Sequence, residues 1–229
     1  FAYTEGNLQS VDKFYLNEKG EILLEETEDP ISIDIASYTI RDIRKGNTYE
    51  YPIVKIGTQY WMREDLCATA YRDGTTLNKQ TQLGEGAGYF RPQSTETYFY
   101  NGEAVLEGEL APAGWKIPDS DDWQALKEYT KDGASILKTG EWEVLKEGDT
   151  IDSGSNLTGF SAYPVGIWGA GKNISPKQLV CYWTLNETEN SIPEQSISFT
   201  GSSVKFSVAA THVKNETYYK AFSIRCIKE

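Results

Sequence analysis

A tryptophan set between glycine and proline, with a helix start directly behind it, limits the fold of this chain more than any other stretch. In Gly114-Trp115-Lys116-Ile117-Pro118-Asp119-Ser120-Asp121-Asp122-Trp123-Gln124-Ala125-Leu126, Trp115 carries a ring too large and apolar to leave in water. Gly114 and Pro118 are turn residues on either side of it. Pro118 disfavours the helical region for Ile117, so an extended segment ends there. Asp119 or Ser120 then offers a side-chain oxygen to the first free N–H groups of a helix. Asp121 and Asp122 fall in its first turn, where the helix dipole favours carboxylates. Trp123, Leu126 and Tyr129 or Thr130 recur at helical spacing, and Gly133 is the expected stop. A face of this kind is expected to be core.

Upstream, residues 1–38 read as a short β prelude. Phe14-Tyr15-Leu16 and Ile22-Leu23-Leu24 flank a turn at Asn17-Glu18-Lys19-Gly20 and predict a hairpin. Ile31, Ile33 and Ile35 alternate with polar or small residues, as in a half-buried strand. A hairpin alone is marginal, so the prelude is expected to pack on the main domain or on an upstream one. Gly46-Asn47 predicts a two-residue turn between strands, and Trp61 and Met62 are expected in the core. Residues 72–94 hold Gly84-Glu85-Gly86-Ala87-Gly88, which lacks the strand context of a dinucleotide fingerprint and predicts a surface loop. Residues 97–106 predict a first helix, and residues 140–200 have no strong period. The runs 196–199, 203–208 and 221–226 read as closing strands.

This order predicts an α+β domain over residues 39–229, with two helices, short antiparallel strands and a long irregular loop region. Long loops in compact domains are often functional. The expected ligand-binding residues in that region are Trp168, Tyr182, Trp183, Asn186 and Glu187.

Charge narrows the partners. With 34 acidic and 22 basic residues the net charge is −12. That field repels a phosphate backbone, so nucleic acid is not expected as a ligand. No apolar run is long enough to span a membrane. The chain opens at Phe1 and shows no leader, as a mature fragment would. One histidine, His212, and three scattered cysteines, Cys67, Cys181 and Cys226, give no metal-ligand spacing, and no cofactor is expected. The acidic residues are spread evenly, so none stands out as a general acid–base pair. The Asn-x-Ser/Thr triplets at Asn156, Asn173, Asn186 and Asn215 are read as polar turns rather than glycan acceptors.

Four blocks carry a family resemblance. Asp42-Ile43-Arg44-Lys45-Gly46-Asn47-Thr48-Tyr49 with Val54-Lys55-Ile56-Gly57-Thr58-Gln59-Tyr60-Trp61-Met62 resembles "D-x-x-G-N-x-Y … V-x-I-G-x-Q-x-W-M". Ala111 to Pro118 with Asp122 to Leu126 resembles "C-P-x-G-W-H-V-P … E-W-x-x-L". Gly159-Phe160-Ser161-Ala162-Tyr163-Pro164-Val165-Gly166 resembles "G-F-S-A-x-P-x-G", and Phe222-Ser223-Ile224-Arg225-Cys226-Ile227-Lys228-Glu229 resembles "F-S-V-R-C-V-K-D". Together they are similar to the Fibrobacter succinogenes major paralogous domain. At the fold level the resemblance implies a C-type lectin-like domain, akin also to formylglycine-generating enzymes.

The resemblance implies export to the bacterial outer surface, as a lipoprotein or a fimbria-associated adhesin. The expected work is non-catalytic adhesion, with a glycan or protein ligand and pilus subunits as candidate partners. The alternatives are a structural spacer or assembly subunit, and an oxidase-like enzyme. Calcium-dependent sugar binding would need an oxygen-ligand set that Trp183-Thr184-Leu185-Asn186-Glu187 echoes only loosely. The oxidase would need reactive paired cysteines. In the family, a cysteine before "P-x-G-W" would partner the one in "V-R-C". Ala111 stands at the first position here, so Cys226 pairs with Cys67 or Cys181, or stays a buried free thiol.

Overall fold

A computed structural model describes residues 3–4, 7–8, 13–16, 22–25, 39–81, 86–93, 95–131, 133–152, 154–185, 195–201, 207–210 and 220–229. The expected strand over 31–36 lies outside them. Strands β1 (Tyr3–Thr4) and β2 (Asn7–Leu8) pair with each other. So do β3 (Lys13–Leu16) and β4 (Ile22–Glu25), with Phe14 opposite Leu24.

The main body is built on five strands in the order β11-β18-β7-β6-β5. They are β5 (Thr39–Arg44), β6 (Asn47–Ile56), β7 (Gln59–Met62), β11 (Trp115–Lys116) and β18 (Ile227–Lys228). The last of these in sequence sits between β11 and β7, with Ile227 opposite both Lys116 and Trp61. Three small sheets complete the layer architecture. Antiparallel β14 (Leu179–Thr184), β15 (Gln195–Thr200) and β16 (Ser207–Ala210) form one. A second has β12 (Ile167–Gly169) between β13 (Lys172–Ile174) and β17 (Lys220–Ala221). The third has β9 (Gly88–Phe90) between β8 (Asn78–Lys79) and β10 (Phe99–Tyr100).

This corrects the expected fold class. Among the described residues eighteen strands stand against two α-helices, α1 (Gly102–Glu107) and α2 (Ser120–Thr130), and one 3-10 turn, Ser135–Leu137. The body is mostly β-sheet, and an α+β, C-type lectin-like domain is not what these residues form. The expected helix over 97–106 shrinks to six residues because Phe99 and Tyr100 join a sheet and Asn101 starts the helix, accepting from the Ala104 N–H. The expected loop region contains β12, β13 and β14. Residues 180–184 are buried on both faces, so they carry no alternation to read. The stretch 72–94, expected as surface loop, holds β8 and β9, and Gly88 is buried. The turn expected at Gly46-Asn47 is at Lys45-Gly46, both with positive φ, and Asn47 already pairs with Arg44. That is the geometry of the two-residue hairpin turn, displaced by one residue.

The opening stretch of the argument folds as its residues dictate. Trp115 is fully buried, and Asp119 caps α2 by accepting from the N–H groups of Asp121 and Asp122. Asp122 reaches back to the Asp119 N–H at 3.0 Å, which completes a capping box. Lys116 lies 2.7 Å from Asp119 and 2.8 Å from Asp122. Of the helix face, Trp123, Leu126 and Thr130 are buried and Tyr129 is exposed. The helix ends on Lys131 in the left-handed region, ahead of Gly133.

Burial alone would raise the Asp119 carboxyl, but the bonds and charge of Lys116 and the cap N–H groups outweigh it and hold it below its ordinary value. Replacing Asp119 with alanine is expected to cost about 0.5–2 kcal/mol at pH 7. A carboxyl held below its unfolded value contributes above about pH 3.9 and loses that contribution as pH falls through its folded pKa. The difference between variant and parent, followed by urea unfolding, is expected to vanish toward acid.

Among the described residues three hydrophobic clusters fill the body, the smallest being Phe90, Phe99 and Ala221. Of the two larger, one surrounds Trp115, Tyr100, Trp183 and Phe222. The other surrounds Trp61, Trp123, Phe160 and Tyr182, packed between α2 and the sheets. Arg44 ties the edge of the large sheet to the loops: it is buried, 2.7 Å from Asp42, and donates to the carbonyls of Ala70 and Leu110.

Candidate functional site

The site begins with a charge inside an apolar run. Residues 221–227 are all buried, and Arg225 among them is 1% exposed. A buried guanidinium must find counter-charge and acceptors. Here Nε donates to Asp65 Oδ1 at 2.9 Å, and Nη2 also meets Asp65. Nη1 donates to the carbonyls of Met62 and Phe160, and Nη2 to the Tyr182 hydroxyl at 3.2 Å. The guanidinium carbon lies 4.7 Å from the Phe160 ring centre and 5.3 Å from that of Tyr182. Burial keeps the Tyr182 phenol far above its ordinary pKa, so it stays protonated. The floor thus consumes its own charges.

Above it opens a cleft of about 460 Å³. One wall is the loop after β7, Arg63 to Cys67; the others come from the residues before β10, the 161–165 loop and Thr139. Backbone bonds set these segments. The N–H of Met62 donates to Cys226 O, and that of Leu66 to Ile224 O, so the loop runs along the C-terminal segment. Tyr100 Oη bonds the carbonyls of Leu66 and Ala68 from below. Asn156 latches the far wall by accepting from the Ser161 N–H and donating to Ser161 Oγ; Ser161 itself is left-handed. Asn173 likewise donates inward, to Val165 O, so both side chains do turn-holding work.

The polar rim is less committed. Arg63 donates through Nε to Gly159 O at 3.1 Å. Among the described residues its terminal nitrogens have no protein acceptor, and Glu64 has no ion pair. Tyr98 packs on Tyr89, ring centres 5.5 Å apart, with Arg91 over its face. Tyr163 is 52% exposed and lies on Gly140, where an added Cβ would come within 2.3 Å of its ring.

Of the five residues expected to bind ligand, three lie among the described residues. Tyr182 and Trp183 are buried, the latter donating to Tyr100 O. Trp168 is half-buried and stacks on Phe90 at 5.5 Å. Asn186 and Glu187 lie outside the described residues. Sequence reading missed Asp65, 160 residues from its partner; Arg225 amid Phe222 to Ile227 was the signal, since a charge there must be paired.

All three cysteines are free thiols. Burial pushes Cys181 and Cys226 up to about 12. Cys67, on the cleft wall and 3.6 Å from Tyr51 Oη, is also raised, again by burial. Such thiols hold little thiolate at neutral pH. The open, paired cysteines an oxidase would need are not formed by Cys181 and Cys226. Native protein at pH 8 is expected to react with a thiol reagent at Cys67 alone, and at all three sites once unfolded. Among the described residues no three His, Cys, Asp or Glu side chains converge as a metal site requires. No helix among them is long and apolar enough to cross a membrane.

A mostly-β body closed around a buried Arg–Asp pair, with a cleft above it, is the class these features define. The chain belongs to the Fibrobacter succinogenes major domain family, whose model matches residues 54–228. The matched span takes in the Trp61, Trp115, Phe160 and Arg225 blocks and leaves the Asp42–Tyr49 block outside it. No curated protein and no solved structure matches the chain significantly.

Proposed function

We propose that this protein is a non-catalytic module of an exported bacterial surface protein, whose work is to capture a ligand at the cell exterior. What carries the reading is the division of labour in the cleft. Its buried charges are satisfied internally, while Arg63, Glu64 and two tyrosines on its rim keep capacity for an outside partner. Binding sites pair a rigid floor with a few convergent polar groups in this way. The resemblance of the family blocks to exported domains supports the location, and the acidic surface suits a solvated exterior.

The test is a screen of the purified chain against arrayed glycans and extracellular matrix proteins. Saturable binding to at least one is the expected result. Absence of binding throughout, or turnover of any bound compound, would overturn the reading.

A further inference from the structure

We propose that the cleft is a neutral-saccharide site, with Arg63 and Glu64 as its paired donor and acceptor and Tyr163 as its ring surface. The inference rests on the ligand-capture reading and adds the place and the chemistry.

Charge excludes two classes. Of the lining charges, Asp65 pairs with Arg225 and Glu96 with Arg91, which leaves Arg63 and Glu64, one of each sign, in a protein of net charge −12. A polyanion is repelled by that field. A cation finds one uncommitted carboxylate, Glu64, but it follows the uncommitted guanidinium of Arg63 in sequence, so the lining offers no surplus of negative charge.

Geometry selects among neutral ligands. A guanidinium presents five N–H donors, and Arg63 spends one of them, on Gly159 O. Its remaining fork matches two adjacent hydroxyl oxygens on a pyranose ring. The neighbouring Glu64 carboxylate accepts from hydroxyl protons, so consecutive residues offer both halves of what a diol requires. The exposed Tyr163 supplies apolar ring surface for the C–H face of a sugar, and Tyr98, whose ring is packed by Tyr89 and Arg91, adds its edge and phenol. A volume of about 460 Å³ falls within the range of about 300–1,000 Å³ usual for small-molecule sites. A short neutral peptide offers no comparable run of adjacent hydroxyls.

The test uses isothermal titration of the full chain with cellotetraose, xylotetraose and N,N′-diacetylchitobiose, with trigalacturonate as the charged counterpart. Binding of at least one neutral saccharide, without binding of trigalacturonate, is expected. Arg63→Gln and Tyr163→Ala should each weaken it about tenfold or more with melting unchanged, and Gln124→Ala on the exposed face of α2 should leave it intact. Three results would overturn the inference: preference for the uronate, neutral-sugar binding untouched by both cleft variants, or no saccharide binding at all. If the array then finds a protein ligand, the capture reading stands and the saccharide site alone falls.

Discussion

Asp65→Ala is expected to cost about 3–5 kcal/mol of stability, since it strips a buried cation of its counter-charge. Arg225 is 1% exposed and cannot swing into solvent, because the chain on both sides of it is buried. Its other hydrogen-bond partners are carbonyls of Met62, Phe160 and Ser161 and a phenol that remains protonated, none of which carries charge. At about 2–4 °C per kcal/mol for a domain of this size, the melting point should fall by roughly 6–20 °C. The same exchange combined with Arg225→Met should recover much of the loss, because a buried pair replaced by apolar groups is often neutral. Urea unfolding of the parent, the single variant and the double variant forms the cycle. A single-variant loss under about 1 kcal/mol would mean that water reaches the guanidinium.

Trp123→Ala comes next, at about 3–5 kcal/mol. This ring joins α2 to the sheets: it lies 4.9 Å from Trp61, 5.9 Å from Tyr182 and 6.1 Å from Phe160. Truncation leaves a void bounded by three rigid aromatics that have little room to collapse into it. Trp123→Phe should behave differently. The indole N–H is buried and has no acceptor among the described residues, so its removal relieves a desolvation cost of about 1–3 kcal/mol. That relief offsets part of the lost ring volume, and the phenylalanine variant should lie within about 2 kcal/mol of the parent. A phenylalanine variant as damaged as the alanine one would show that the indole is held by more than packing.

How much of this was legible depended on whether the cause was local. The turn at Gly114, the Asp119 cap and the Trp123–Leu126 face follow from neighbours in sequence and were all readable. The Lys45-Gly46 turn was missed by one position because a lysine took the left-handed conformation that residue preferences give to glycine or asparagine. The region from 140 to 200 looked irregular for a different reason. Residues 180–184 are buried on both faces, and total burial erases the alternation that marks a strand. Tyr98 and Phe99 read as helix because aromatic spacing alone cannot tell a short buried strand from a helical turn. The cleft was the least visible feature. Its walls come from segments centred near residues 65, 98, 163 and 225, and nothing in any one of them announces the others.

The place of Ile227–Lys228 between Trp115–Lys116 and Gln59–Met62 bears on how the protein is made. A ribosome delivers the other four strands of that sheet first and β18, which joins β11 to the rest, after all of them. Until those residues emerge, Asp65 lacks Arg225, and the Met62 and Leu66 N–H groups lack the Cys226 and Ile224 carbonyls they donate to. The five-stranded sheet therefore cannot complete its pairing before Ile227–Lys228 is in place between its two neighbours.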